Sequence, residues 1–246
     1  MKRISQFKNL LSYRKPFFAF ISPFSSFRFL KFVFMCFAFS VCINSYAQQT
    51  EEQKKAEYKK TITERSAKIV KTLDLNDSVK FNKAVTEISG QYFALNIIHE
   101  DFKTAVAETK AKSLEKTIET EAIKQLGEKK SAQLLQQHSV FIAHLKETLS
   151  GEQIEKVKNG MTYNVLNVTY TAYQEMLLNL TPVQKEKIYN WLIEARELAM
   201  DEGSSEDKHK VFGKYKGRIN NYLSGEGYDM KKEEKAWQER IKEKKS

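Results

Sequence analysis

Residues 208–221 carry cationic, aromatic and amide side chains within a single segment of the chain. Proteins bind sugars by placing Trp or Tyr rings against the apolar sugar faces, while charged and amide groups bond the hydroxyls. The segment supplies both kinds of group, so it is the first candidate for a carbohydrate site. Its candidate ligand-binding residues are Lys208, His209, Lys214, Tyr215, Arg218, Asn220 and Asn221.

Further candidate ligand-binding residues precede this segment, namely Tyr163, Tyr170, Tyr173, Trp191, Glu194 and Glu197. Aromatic rings at helical spacing also pack in cores, so each ring has a structural alternative. Glu194, Glu197 and Asp201 are three and four residues apart, which places their carboxylates on one face of a helix. Such a row is usually a solvated face, but it can also supply the acid and base of a glycosidase. No catalytic residue is assigned.

Gly213 and Gly217 lie one turn apart in the same predicted helix. Each glycine costs a helix about 1 kcal/mol relative to alanine, so a compensating contact is expected. A close crossing by a neighbouring helix is the leading explanation, and a ligand against bare backbone is the second. The sequence therefore predicts that this ridge faces either a helix or a hollow.

Other chemistries lack the residues that they need. The histidines His99, His138, His144 and His209 form no HExxH motif and no pair four residues apart. There is no serine-nucleophile motif, no glycine-rich phosphate loop, and no cysteine after residue 47. We therefore predict no metal, no cofactor and no thiol chemistry.

The elements that position these residues are predicted to be helices. Apolar residues recur at helical spacing within residues 62–73, 85–95, 134–149 and 188–199. A leucine followed by a capping residue marks three helix starts, with Asn76, Ser150 and Thr181 as the caps. Ser150 and Thr181 also have glutamine at capping-box spacing. The predicted fold is all-α, a multi-helix bundle of antiparallel helical hairpins.

The first 47 residues differ from the rest of the chain. They contain seven Lys or Arg and no acidic residue, then the apolar run 32–43, then Ser45 and Ala47 at small-residue positions. This is the layout of a secretory signal peptide cleaved after Ala47. The run is shorter than the roughly 20 residues that span a bilayer. We expect a periplasmic or secreted protein without a stable membrane span after cleavage, the alternative being an uncleaved anchor.

Most of the net positive charge belongs to this signal segment. The chain has 41 basic and 31 acidic residues, for a net charge of +10, but only 34 basic residues follow residue 47, which leaves +3. Nucleic acid is therefore not an expected partner. The remaining chain is divided into an N-terminal helical hairpin at 48–107, a charged helical arm at 108–130, a core at 131–230 and a charged tail at 231–246.

Residues 155–229 resemble a group of exported helical proteins from Bacteroidota, defined as a domain of unknown function and loosely described as sugar-binding. The most specific part is KHKVFGKYKGRINNYLS, residues 208–224. A weaker likeness covers residues 64–77 and 91–101, while residues 108–130 diverge. The resemblance implies an all-helical structure, export and a link to polysaccharide metabolism, but no catalytic residue.

Three hypotheses for function follow from these patterns. The first is an exported carbohydrate-binding protein linked to polysaccharide handling. The second is a periplasmic helical protein-interaction or chaperone-like module, which a concave apolar face on the arm would favour. The third is a glycan-active enzyme, which requires two carboxylates facing each other across a pocket.

Overall fold

The structure is a computed structural model that describes residues 50–244. The chain divides into two compact units, Met1–Ala56 and Glu57–Ser246. In the first unit, the described residues 50–56 are helical and exposed. The predicted signal peptide, residues 1–47, lies outside the described residues. The architecture below is that of the second unit.

Eight helices make up the described chain. They are α1 (residues 50–71), α2 (Ser78–Ala111), α3 (Lys116–Lys146), α4 (Gly151–Met161), α5 (Val165–Met176), α6 (Pro182–Met200), α7 (Ser205–Gly225) and α8 (Met230–Glu243). No strand occurs between residues 50 and 244, so the predicted all-α class is confirmed. Successive helices pack as hairpins, most extensively α2 with α3 and α6 with α7.

Helix starts follow the local capping chemistry of the sequence. Ser150 and Thr181 each form a complete capping box with the glutamine three residues later, as predicted. The prediction for α2 was wrong by one residue, because the cap is Asp77 rather than Asn76. The Asp77 carboxylate accepts hydrogen bonds from the backbone nitrogens of Val79 and Lys80 at 2.7 and 3.2 Å.

Two apolar cores hold the helices together. The first lies among α1, α2, α4 and the end of α3, with Val70, Ile88 and Leu145 among its buried side chains. The second lies among α5, α6 and α7, around Leu192 and Phe212. Helix α6 contributes to both cores, because its last residue is buried in the first and its earlier apolar residues in the second.

The α2–α3 hairpin extends beyond the first core. Residues 110–140 contain no buried side chain, and they include the turn between the two helices. The predicted charged arm, residues 108–130, forms the end of α2, this turn and the start of α3. Within residues 50–244, no helix combines the length and the apolar composition needed to cross a bilayer.

The predicted charged tail forms α8, which packs on α5 and α7. The Arg240 guanidinium donates hydrogen bonds to the carbonyl oxygens of Glu175 and Met176 at 2.9 and 3.1 Å. These carbonyls belong to the last turn of α5, where backbone acceptors lack partners within the helix. Arg240 therefore caps α5 and fixes α8 against it.

Candidate functional site

The glycine ridge of α7 faces open space. Gly213 and Gly217 are exposed, and a Cβ built on either one would meet no atom within 4 Å. Helix α7 packs on α6 through another face, on which Phe212, Ile219 and Leu223 are buried. The predicted close helix crossing at the glycines is therefore wrong. The two grooves beside α7 are lined by other residues of that helix.

One of these grooves, which we call the Arg218 groove, lies between α3, α6 and α7 and has a volume of about 510 Å³. Its aliphatic side chains are Leu134, Leu135, Leu198 and Val211. Its remaining lining residues are Lys130, Ser131, Asp201, Glu202, Lys214, Tyr215 and Arg218. The groove thus combines an aliphatic surface with an aromatic ring and with cations from α3 and α7.

Arg218 links this groove to an aromatic cluster. Its guanidinium carbon lies 4.5 Å from the centroid of the Trp191 ring and 6.0 Å from that of Tyr215. One guanidinium nitrogen is 3.4 Å from a carboxylate oxygen of Glu194. The Trp191 and Tyr222 rings are nearly perpendicular, with their centroids 5.4 Å apart. Stacking on Trp191 and pairing with Glu194 place the guanidinium beside the groove, and 54% of the Arg218 side chain is exposed.

The carboxylates of Glu197 and Asp201 bind cations rather than forming a solvated row. Glu197 accepts a hydrogen bond from Arg196 at 3.0 Å and forms ion pairs with Lys158 at 3.0 Å and with His138 at 3.5 Å. Asp201 lies 2.9 Å from the other ring nitrogen of His138. These five side chains form an ionic cluster that joins α3, α4 and α6.

The ionic cluster shifts the protonation of two of its members. Hydrogen bonds to Asp201 and Glu197 outweigh the effect of burial and raise the pKa of His138 to about 9. Burial opposes the ionisation of Glu197, but hydrogen bonds from His138 and Lys158 and the charge of Lys158 lower its pKa to about 2. At neutral pH the histidine is therefore a cation and Glu197 is a carboxylate.

Lys208 is a buried residue of α7 that binds the end of α6. Its ammonium group donates to the carbonyl oxygens of Ala199 and Met200 at 2.8 and 3.0 Å. Burial lowers the pKa of Lys208 to about 8. Because these acceptors are carbonyls of the last turn of α6, Lys208 acts as a helix cap, and it adds to the backbone hydrogen bond that Ala199 already accepts from Glu202. It lines a separate cavity of about 80 Å³ and not the Arg218 groove.

The remaining predicted residues do not converge on one site. The rings of Tyr163 and His209 lie 5.8 Å apart, and Tyr170 packs against Tyr189 at 5.0 Å. Asn221 is exposed and lines neither groove. Of the predicted residues, the structure brings Lys214, Tyr215, Arg218, Trp191 and Glu194 together at the Arg218 groove.

Tyr173 and Asn220 lie on the opposite side of α7. The buried Tyr173 hydroxyl donates to the Asn220 side-chain oxygen at 2.7 Å, and burial raises the pKa of Tyr173 to about 12. Both residues line a second groove, between α5, α7 and α8. Separate grooves on the two sides of α7 explain why one helical segment does not form one site.

Sequence reasoning missed the contribution of α3 to the Arg218 groove. Lys130, Ser131, Leu134 and Leu135 come from this helix, more than 60 positions before the α6 residues. Leu134 and Leu135 were assigned to a core stripe, yet the Leu135 side chain is 69% exposed. An exposed leucine within an apolar stripe is the one local feature that could indicate this groove. The sequence alone does not show that Leu135 is exposed, because it does not show which face of α3 is packed.

Among the residues that the structure describes, no group of three or more His, Cys, Asp or Glu side chains is arranged to hold a metal ion.

Comparison with known proteins identifies the family. No curated protein matches the chain. The resemblance drawn from residues 155–229 is confirmed at the level of a family without an established function. The chain belongs to the family described as Protein of unknown function (DUF3826), whose model matches residues 59–243.

Proposed function

We propose that the protein is an exported carbohydrate-binding protein whose ligand lies in the Arg218 groove. The observation that supports this function best is the position of Arg218 at the groove, where Trp191 and Glu194 hold it. A pre-positioned guanidinium can bond a sugar hydroxyl or carboxylate at little further cost in side-chain entropy. The groove volume of about 510 Å³ is within the range of about 300–1,000 Å³ that is usual for small-molecule sites.

The charges of the groove favour an acidic saccharide. Lys130, Lys214 and Arg218 reach it from two helices, against the two carboxylates Asp201 and Glu202. One group on each side is already paired, Arg218 with Glu194 and Asp201 with His138. The Tyr215 ring offers an apolar surface beside these cations. A sugar with a carboxylate or sulfate group would thus meet both a stacking surface and opposite charge.

Export is part of the proposal and rests on the composition of residues 1–47. Basic residues without acidic ones, a short apolar run and the small residues Ser45 and Ala47 are typical of a cleaved signal peptide. A periplasmic or secreted location would place the groove where glycans occur. Amino-terminal sequencing of the mature protein tests this part, because the proposal requires the mature chain to begin after Ala47.

An interaction with another protein is the second candidate for the same groove. Leu134, Leu135, Leu198 and Val211 provide an aliphatic surface, which sugars use less well than aromatic rings. An acidic amphipathic helix could place apolar side chains against these leucines and carboxylates against the cations. The second hypothesis places a concave apolar face on the arm, residues 108–130, whereas the α3 leucines of this groove, Leu134 and Leu135, follow the arm.

The groove geometry gives the enzyme hypothesis little support. Asp201 and Glu202 are consecutive residues at the end of α6, so they do not face each other across the groove. Glu197 is ionised at neutral pH and holds three cations, so it has no proton to donate. The two-carboxylate arrangement of a glycosidase is therefore not part of the proposal.

Calorimetry with trigalacturonate and with neutral maltotriose tests the proposed function. We expect the acidic trisaccharide to bind at least about tenfold more tightly, and Arg218→Gln to remove most of that binding. Lys210→Ala is the matched control, since Lys210 is a cation of α7 that pairs with Glu206 and Asp207 outside the groove.

Each outcome of this experiment bears on a specific claim. Equal binding of both sugars would overturn the acidic ligand, and binding that survives Arg218→Gln would overturn the groove as its location. If no sugar binds, but an acidic amphipathic peptide binds and is lost in Leu135→Asp, the protein-interaction candidate replaces the carbohydrate proposal.

A further inference from the structure

A second groove lies between α5, α7 and α8, and we call it the Trp237 groove. Its volume is about 510 Å³, equal to that of the Arg218 groove, and no residue lines both. Its apolar lining comes from Val168, Ala172, Met176, Met230 and Trp237. Val168 is 62% exposed, so this apolar surface is open to solvent at one side.

The α8 wall of the Trp237 groove is fixed at both ends. At its far end, Arg240 caps α5, and the Trp237 indole nitrogen lies 3.4 Å from a carboxylate oxygen of Glu175. Just before α8, the Tyr228 hydroxyl donates to the carbonyl oxygen of Asn179 at 3.0 Å. The aromatic ring of the groove is therefore held in place without a ligand.

Unpaired cations stand at the polar side of this groove. Lys216 comes from α7 and Lys231 from α8, and neither forms an ion pair with a residue in the described range 50–244. Glu234 is the one carboxylate in the lining. The side-chain oxygen of Asn220 accepts from Tyr173, while its amide nitrogen donates to no described residue. Two cations and an amide donor against one carboxylate favour an anionic ligand group.

We propose that the Trp237 groove binds a small organic acid with a flat apolar body and a single carboxylate or sulfonate. The body lies against Trp237 and the methionines, which are polarizable and adapt to aromatic shapes. The acid group lies between Lys216 and Lys231. The apolar part of the lining, which includes two methionines, a valine and an alanine, offers little to the hydroxyls of a saccharide, so the ligand class differs from that of the Arg218 groove.

The chain has two tryptophans, and they report on different grooves. In Trp191→Phe, selective tryptophan excitation reads Trp237 alone, and in Trp237→Phe it reads Trp191 alone. We use 4-phenylbutyrate as the probe because its ring does not absorb where tryptophan is excited. Its neutral analogue, 4-phenylbutyramide, has the same apolar body without the anion.

The expected result is a saturable change in Trp237 emission with 4-phenylbutyrate and about fivefold weaker binding of the amide. Ala172→Phe should fill the groove and weaken binding at least about tenfold. Val168→Glu, at an exposed position, should weaken the binding of 4-phenylbutyrate more than the binding of the amide. This variant replaces Ala172→Phe in the test if Ala172→Phe does not fold. Far-UV circular dichroism checks that each variant keeps its helices.

Four outcomes would overturn the inference. The first is the absence of any saturable signal from Trp237. The second is equal binding of acid and amide, and the third is binding that survives both Ala172→Phe and Val168→Glu. Arg218→Gln should leave 4-phenylbutyrate binding unchanged, so failure of the carbohydrate proposal does not decide this inference. The fourth outcome, a fluorescence change from Trp191 instead of Trp237, would place the acid in the other groove and would likewise overturn the inference.

Discussion

Replacement of His138 by glutamine tests the energetic role of the ionic cluster. The His138 ring lies within 3.5 Å of Glu197 and 2.9 Å of Asp201, and 19% of its side chain is exposed. These contacts raise its pKa from 6.5 to about 9, which corresponds to about 3 kcal/mol of stability for the charged form. The lowered pKa of Glu197 includes the same pairing with His138, together with its contacts to Lys158 and Arg196, so its shift is not added.

The direction of the pH dependence follows from the raised pKa of the histidine. Stability from His138 is fully present below its unfolded-state pKa of 6.5 and is lost as the pH rises through about 9. The matching contribution of Glu197 is present above 4.5 and is lost as the pH falls through about 2. Both contributions are therefore complete between about pH 4.5 and pH 6.5.

Urea unfolding of the wild type and His138→Gln at about pH 6 and about pH 10 measures this effect. We expect the variant to lose about 2–3 kcal/mol of unfolding free energy at the lower pH and to approach the wild type at the higher pH. His144→Gln is the control, because His144 contacts Glu87 at 3.1 Å but its side chain is 49% exposed. We expect it to cost less than about 1 kcal/mol. A His138→Gln deficit of the same size at both pH values would refute the reasoning.

Three further predictions concern particular packing contacts. Gly213→Ala should raise the unfolding free energy by about 0.5–1 kcal/mol, because the added methyl meets no atom within 4 Å, and a lower melting temperature would contradict this. Gly160→Ala should instead lower the unfolding free energy by about 1 kcal/mol or more, because the added Cβ would lie 2.9 Å from the buried Ile69 side chain. Arg240→Ala should speed amide hydrogen exchange in α8, because the cap on α5 is lost, while exchange in α6 stays unchanged.

Features that depend on neighbouring residues could be predicted from the sequence. The capping boxes at Ser150 and Thr181 need two side chains three residues apart, and the structure contains both. The stripe in residues 188–199 gave only part of the buried face of α6. Ile188, Leu192, Ala195 and Ala199 are buried, but Leu198 is 54% exposed. The all-α class follows from such local rules.

Features that depend on distant packing could not be predicted in this way. Gly213 and Gly217 suggested a close crossing, but periodicity does not say which face of α7 meets α6. The sequence predicts Lys208 as a ligand-binding cation, but its side chain is buried and donates to two carbonyls of the last turn of α6. The role of Lys208 is decided by acceptors on another helix, and the glycines are exposed because α7 meets α6 through a different face.

The ionic cluster accounts for the shape of the Arg218 groove better than apolar packing does. Over residues 116–140, α3 buries no side chain and packs along α2, and it reaches α6 through His138. Apolar contact is non-directional, so it would leave the spacing between α3 and α6 loosely defined. Charged hydrogen bonds are directional and fix a distance and an angle between the helices they join. Because Asp201 both lines the groove and holds His138, the contact that sets this spacing belongs to the wall of the groove itself.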